Sequence, residues 1–257
     1  MDKAIGGEAH ALILDLEDGI TRATAAGARR HVAAFLARPD RDRPVAVRVE
    51  PSSLREDLAV AIAGGADLVY LPKADLDALA ALDTLDAAPS PPPVVALIET
   101  AQGLLDAPAV ARHPRVVGLG LGESDLCAEL GIEASPEILT PLRLQVVVAS
   151  AAGGLRAPTA PASTDYRDLD AFRRSCVELR RTGFGARSAV HPAQVAVIND
   201  VFAPDAAEVA RARDLVTRFE AAVEEGRGVI VDDAGRMVDA AVVRDARRLL
   251  DEHERTT

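Results

Sequence analysis

The chain has 257 residues, 49% of them hydrophobic and 27% charged, which excludes disorder, collagen and coiled coil as the main architecture. That length buries a core without disulfide or metal staples, and with no Trp and only 3% aromatic residues the core must be aliphatic. The net charge of −11 repels phosphate backbones and argues against sequence-independent nucleic-acid binding, while leaving room for a local cationic pocket.

The stretch Met1–Glu8 lacks the apolar core of a signal peptide. No apolar run approaches the roughly 20 residues that span a bilayer, so a cytoplasmic protein with no membrane partner is expected. Cys127 and Cys176 form no C-x-x-C pair. Apolar runs then follow at Ala11–Asp15, Val45–Val49, Leu68–Leu71, Val94–Glu99 and Val116–Leu121, with weaker ones near Leu155–Ala157 and Ser188–Val190. Between them the spacing predicts helices over about 20–37, 54–63, 75–86, 101–112, 136–152, 168–182 and 193–202. A proline-rich connector occupies 87–93. After Pro204-Asp205 a long charged helix runs to about Glu225, then Val229–Asp233, a turn at Ala234-Gly235, and a last helix from about Ala240 to Glu254.

Strands that read as continuous apolar runs are buried on both faces, which points to a parallel sheet covered by helices. Repeated βα units of this length give a doubly wound sheet or an α/β barrel of the TIM (β/α)8 type. The expected organisation is a barrel domain over 1–203 and a C-terminal helical extension over 204–257.

Nearly every run ends in charge. The first ends in Asp15, followed by Glu17 and Asp18; the second carries Arg48, then Glu50; the third is followed by Lys73; the fourth ends in Glu99; the fifth leads into Glu123 and Asp125. One charged strand end is what any chain reaching solvent shows. Five in succession with complementary signs would converge on the mouth where parallel α/β folds place their sites.

Glu99 and Asp125 lie 26 residues apart, one βα unit, hence on adjacent strand ends. Two oxygen ligands there, with positions open to water and substrate, suit Mg2+. Arg48 offers a planar fork for a carboxylate or a developing enolate. Lys73 is one of two lysines beside 27 arginines and raises the rival of a Schiff-base nucleophile. Surrounding acids would keep it charged, so an ammonium bridging carboxylates is the favoured reading. His191 follows the last weak strand, either facing the mouth or buried as a hydrogen-bonded structural residue. Gly118–Gly122 is followed by acids, which a phosphate would avoid.

Seven motifs, in order, are LILDLEDGI (12–20), VAVRVE (45–50), LVYLPKA (68–74), ALIETAQGL (96–104), GLGLGESDL (118–126), GFGARSAVHPAQV (183–195) and GRMVDAAVVRDA (235–246). In them the chain resembles the citrate lyase β-subunit-like group of the HpcH/HpaI aldolase superfamily. The resemblance implies a (β/α)8 barrel with a C-terminal lid, acting on carbon–carbon bonds beside Mg2+. It implies metal binding by Glu99 and Asp125, substrate binding and catalysis by Arg48, a place for Glu17 in the acids around the metal, and Asp239 as acid/base reaching a neighbouring subunit. The family's usual first strand, resembling R-S-x-L-F-V-P-G, is not matched, so the barrel is expected to lack it. Glu50 stands where the family usually has Asn and would bring a carboxylate near Arg48.

The expected activity is cleavage or formation of a 3-hydroxyacyl-CoA thioester such as citryl-, malyl- or citramalyl-CoA, giving acetyl-CoA and a 2-oxo acid, in a homotrimer or hexamer. The alternatives are a CoA-independent class II aldolase on 4-hydroxy-2-oxo acids and a non-catalytic binding barrel.

Overall fold

The computed structural model describes residues 6–85 and 91–256, and these fall into two compact units, Met1–Ile198 and Asn199–Thr257. Part of the proline-rich connector, and the first five residues of the N-terminal stretch, lie outside the described residues. Among the described residues no helix is long and apolar enough to cross a membrane.

The first unit is an α/β fold built on one seven-stranded parallel sheet of the TIM-like kind. The strands are β1 (Leu12–Asp15), β2 (Val45–Arg48), β3 (Leu68–Leu71), β4 (Val94–Ile98), β5 (Val116–Leu121), β6 (Thr159–Ala160) and β7 (Ala186–Arg187). They pair strictly in chain order, from β1 at one edge to β7 at the other. The helices between them are α1 (Ala25–Leu36), α2 (Leu54–Ala63), α3 (Leu76–Leu85), α4 (Ala101–Val110), α5 (Glu123–Leu130), α6 (Pro136–Ala152) and α7 (Leu169–Thr182), and α8 (Pro192–Phe202) follows β7 and runs past the end of the unit at Ile198. Val45, Val47, Val69, Leu71, Val94, Ala96, Ile98 and Leu119 are all buried, as the continuous apolar runs require.

The register sets the site. Asp15 lies opposite Arg48, Arg48 opposite Tyr70, and Ile98 opposite Leu121, so the residues that follow each strand emerge side by side. Backbone bonds prolong the ladder past the strands: Leu16 N–H donates to Arg48, Ala74 N–H to Leu97, and Gly122 N–H to Ile98.

The two weak strands sit elsewhere than expected. Leu155–Ala157 closes the end of α6, where Leu155 N–H donates to the Ser150 carbonyl and the Ser150 hydroxyl to that of Arg156. The pairing residues come later, at Thr159–Ala160. Likewise Ser188–Val190 is not strand; Gln194, fully buried on α8, takes the N–H groups of Val190 and His191 on its amide oxygen. Its amide nitrogen donates to the carbonyls of Ser163 and Asp165 and so ties the loop after β6 to the loop after β7.

The second unit pairs α9 (Ala206–Glu224) with α10 (Ala240–Thr256) around a hairpin, β8 (Ile230–Val231) and β9 (Met237–Val238); its first run and its turn were legible in the sequence, its second strand was not. Its core is Phe219, Ala222, Ile230, Val238 and Val243. Asp205 and Glu208 form a capping box at the start of α9, satisfying N–H groups that would otherwise lack partners.

One buried carboxylate braces the strand ends from behind. Asp57 on α2 is 1% exposed; it accepts from Arg29 Nε of α1 at 2.6 Å and from the backbone N–H of Glu50 at 2.8 Å, just after Arg48. Asp57→Ala would strand a guanidinium and a backbone donor at once, so a loss of about 3 kcal/mol is expected from urea denaturation. A loss below about 1 kcal/mol would show that water replaces the carboxylate there.

Candidate active site

Past β1 the chain turns sharply, with Glu17 N–H donating to Asp15 Oδ1 at 3.0 Å. Asp15, Glu17 and Asp18 are thereby gathered round Arg48, the last residue of β2. Arg48 Nε donates to Asp15 Oδ1 at 2.7 Å and Nη2 to Asp18 Oδ2 at 2.6 Å. Nη2 also meets the second oxygen of Asp15, and Nη1 lies 3.1 Å from Glu17 Oε2. Burial alone would lower the Arg48 pKa, but these carboxylates hold it above the ordinary guanidinium range.

Glu17 faces a second cation with its other oxygen, Oε1, 3.1 Å from Lys73 Nζ. Lys73 Nζ is also 3.8 Å from Glu99 Oε1 and 3.7 Å from Asp125 Oδ1. A continuous run of charge therefore crosses five adjacent strand ends, from Asp15 and Asp18 through Arg48, Glu17 and Lys73 to Glu99 and Asp125. Burial would lower the Lys73 pKa, yet Glu17, Glu99 and Asp125 raise it, so the amine is a charged partner rather than a neutral nucleophile. Burial pushes the Glu17 carboxyl upward, opposed by Lys73 and Arg48.

Glu99 directly follows β4 and is 4% exposed. Its Oε1 accepts the backbone N–H of Lys73 at 2.9 Å. Lys73 reaches that geometry with φ of 49°, the left-handed region that non-glycine residues rarely adopt and that often marks a functional site. On the other side Glu99 lies against Gly122, where an added Cβ would stand 2.3 Å from Glu99 Oε2 and 2.6 Å from Glu99 Cβ. Only glycine leaves room for this carboxylate. Desolvation, with Glu17 and Asp125 nearby, raises the Glu99 pKa to about 7, against the pull of the Lys73 N–H and ammonium.

Asp125 does not sit on a loop, as the strand-end reading implied, but in the first turn of α5, a helix absent from that reading. Gly122 precedes it and Gly131, in the left-handed region, ends it. Acids in a first turn meet the positive end of the helix dipole. Arg143 of α6 fixes that turn by gripping Glu123 with Nε at 2.6 Å and Nη2 at 3.1 Å, while its Nη1 reaches Glu178 at 2.8 Å.

The structure thus brings together Glu17, Arg48, Glu99 and Asp125, with Lys73 as the cation shared by the three carboxylates among them. Asp239 belongs to the other compact unit, where its Oδ1 accepts the N–H groups of Ala241 and Val242 and caps α10. Glu50 turns to accept Ser52 N–H instead of crowding Arg48. His191 is exposed rather than buried, and stacks on Tyr166 with ring centroids 4.5 Å apart. That stack and the Gln194 clamp carried no recognisable sequence signal. The Glu99–Gly122 contact was foreshadowed only by the glycine after the fifth run. Among the described residues no group of three His, Cys, Asp or Glu side chains is gathered tightly enough to hold a metal unaided. Two carboxylates on adjacent strand ends, with a lysine ammonium beside them as a stand-in cation, still fit a hard ion that keeps several waters.

The HpcH/HpaI aldolase/citrate lyase family model matches residues 1–192. The chain is 35% identical over 263 residues to a (3S)-malyl-CoA thioesterase of Cereibacter sphaeroides, covering 97% of this chain and 88% of that one. It is 32% identical over 269 residues to the citrate lyase subunit beta of Escherichia coli, covering 96% and 86%. The protein CitE of Mycobacterium tuberculosis, solved in complex with magnesium, acetoacetate and coenzyme A, superposes with a TM-score of 0.74 at 28% identity, covering 94% of this chain and 89% of that one.

The Glu99 environment sets a pH dependence of stability. Its carboxyl moves from an ordinary 4.5 to about 7 on folding. The contribution of this group is therefore fully present below about 4.5 and is lost as pH rises through about 7, amounting to about 3 kcal/mol at most. In metal-free buffer the wild type should lose more stability between pH 5 and pH 8 than Glu99→Gln, read from urea midpoints at each pH. Parallel profiles would show that Glu99 is solvated like a surface carboxylate.

Proposed function

The chain belongs to the HpcH/HpaI aldolase/citrate lyase family, and on that premise we propose that it is an Mg2+-dependent carbon–carbon lyase of 3-hydroxyacyl-CoA thioesters. Citryl-, malyl- or citramalyl-CoA would be cleaved to acetyl-CoA and a 2-oxo acid, or formed from them. The observation that carries this reading is the run of five carboxylates and two cations across adjacent strand ends. The relatives named for malyl-CoA and citrate, and the CitE complex with magnesium and coenzyme A, support the substrate class and the ion.

Glu99 and Asp125 would hold the ion, which when bound supplies Lewis acidity and a template for the 2-oxo-acid fragment. Glu17 links the two cations of the site, Arg48 and Lys73, beside the metal ligands. Arg48 stabilises the oxygen on which negative charge develops as the bond breaks. Its partner Asp18 is 79% exposed, and a substrate carboxylate displaces that side chain while the fork to Asp15 keeps the guanidinium aimed. As the 3-hydroxyl gives its proton to Asp239 and its oxygen becomes the carbonyl of the 2-oxo acid, the electron pair of the broken carbon–carbon bond passes into the thioester enolate. Asp239 returns a proton to the enolate carbon, and the 204–257 extension acts as a lid that excludes water meanwhile. We place this lid on a neighbouring subunit of a cytoplasmic homotrimer or hexamer. A thioester hydrolase is the second reading, favoured by the naming of the Cereibacter sphaeroides relative.

Two experiments test the assignment. Glu99→Gln and Asp125→Asn should each weaken Mg2+ binding by about 100-fold or more in calorimetry, with unchanged circular dichroism and loss of acetyl-CoA release from malyl-CoA or citramalyl-CoA. Mg2+ affinity equal to wild type in both variants would remove these residues from the site, and free CoA without acetyl-CoA as the wild-type product would select the hydrolase. In the second, Asp239→Asn subunits are mixed with Arg48→Ala subunits. Activity that neither parent has should return if the lid crosses between chains. No recovery despite demonstrated subunit exchange would assign the lid to its own barrel or to no catalytic purpose.

A further inference from the structure

The structure assigns Lys73 a role as a built-in counter-cation that holds the carboxylates of the site in place before a divalent ion enters and competes with that ion for them. The inference rests on the metal-site reading above and concerns Lys73 alone.

The geometry supplies the first observation. The ammonium lies 3.1 Å from Glu17, 3.8 Å from Glu99 and 3.7 Å from Asp125. These residues come from three separate segments, after β1, after β4 and in α5. The ammonium donates a hydrogen bond to Glu17 and stands within ion-pair reach of the other two, so its charge serves all three carboxylates. With 45% of the side chain exposed, the head group can withdraw toward solvent without unfolding anything.

The backbone supplies the second. Lys73 adopts a φ of 49°, and its own N–H donates to Glu99 Oε1 at 2.9 Å. A lysine held in the left-handed region is over-determined by its surroundings. Here the strained residue contacts Glu99 twice, through its N–H and through its ammonium. The two contacts separate: the N–H fixes Glu99 whatever the side chain does, whereas the ammonium can leave.

Composition supplies the third. The chain uses arginine 27 times and lysine twice, yet a lysine stands here. A guanidinium is a flat fork that favours one carboxylate at a time, whereas an ammonium is a compact point charge with three donors. Only the latter resembles a small cation among several oxygens.

The test compares wild type, Lys73→Met, Lys73→Arg and the double variant Lys73→Met/Glu17→Gln, using melting temperature in EDTA and Mg2+ titration calorimetry. In EDTA, Lys73→Met should melt about 5 °C lower, and the double variant should regain most of that loss because one uncompensated charge is gone. With Mg2+, Lys73→Met should bind about tenfold more tightly than wild type, the competing charge being absent, and Lys73→Arg should bind no more tightly than wild type. An unchanged melting temperature in EDTA, or Mg2+ affinity in Lys73→Met that is equal or weaker, overturns the inference. If Lys73→Met does not fold in EDTA, recovery by the Glu17→Gln change supports it and failure to recover overturns it. A wild type that binds no Mg2+ would defeat the metal-site reading, while the EDTA melts would still decide the role of Lys73.

Discussion

A carboxylate leaves water only where its charge is met, and Glu17 is the carboxylate that joins the two cations of this site, Arg48 and Lys73. Its oxygens lie 3.1 Å from Arg48 Nη1 and 3.1 Å from Lys73 Nζ, so the segments after β1, β2 and β3 share one electrostatic unit. Burial disfavours its charged form and the two cations oppose that effect. Without Glu17, Arg48 would be left to Asp15 and Asp18, and Lys73 would face Glu99 and Asp125 with nothing linking the two halves. The chain-order parallel sheet makes the unit possible, because consecutive strands are neighbours and their C-terminal residues emerge at one end.

Much of this was legible in the sequence for a physical reason. Strands buried on both faces must be continuously apolar, so each ends where polarity returns, and in a parallel sheet all those ends face one way. Glu17, Arg48, Lys73 and Glu99 could therefore be placed from the runs and the residues that end or follow them, and Asp125 assigned to the same end of the sheet but not to its helix. The two-residue strands β6 and β7 could not. Their pairing is decided by neighbours, while the apolar residues nearby serve the end of α6 and the Gln194 clamp. Helix α5 was hidden because its eight residues, ESDLCAEL, carry too few apolar positions to show a period. Buried Leu126 and Cys127 anchor it, and the Arg143 grip on Glu123 fixes its first turn.

Arg48 shows how local competition decides what a charged residue does. Glu50, two positions away, lies beyond the strand and turns back to its own 3-10 turn, where it accepts Ser52 N–H. The backbone N–H of Glu50 is meanwhile held by buried Asp57. Asp15 reaches Arg48 because the two are register partners on adjacent strands. Distance in sequence thus misjudged the partner, whereas pairing across the sheet identifies it.

The balance of charge explains why such a cluster belongs at a mouth rather than in a core. Asp15, Glu17, Asp18, Glu99 and Asp125 face Arg48 and Lys73, an excess of acid that two cations cannot neutralise. A fully buried cluster with that excess would take up protons or unfold. Here the cluster is graded: Glu99 is 4% exposed and Glu17 10%, while Asp125 at 56% and Asp18 at 79% reach solvent. The inner acids are fixed by backbone and arginine, and the outer ones remain free to exchange partners. An arrangement with rigid anions at its base and yielding anions at its rim holds a cation from one side and admits an anionic ligand to Arg48 from the other.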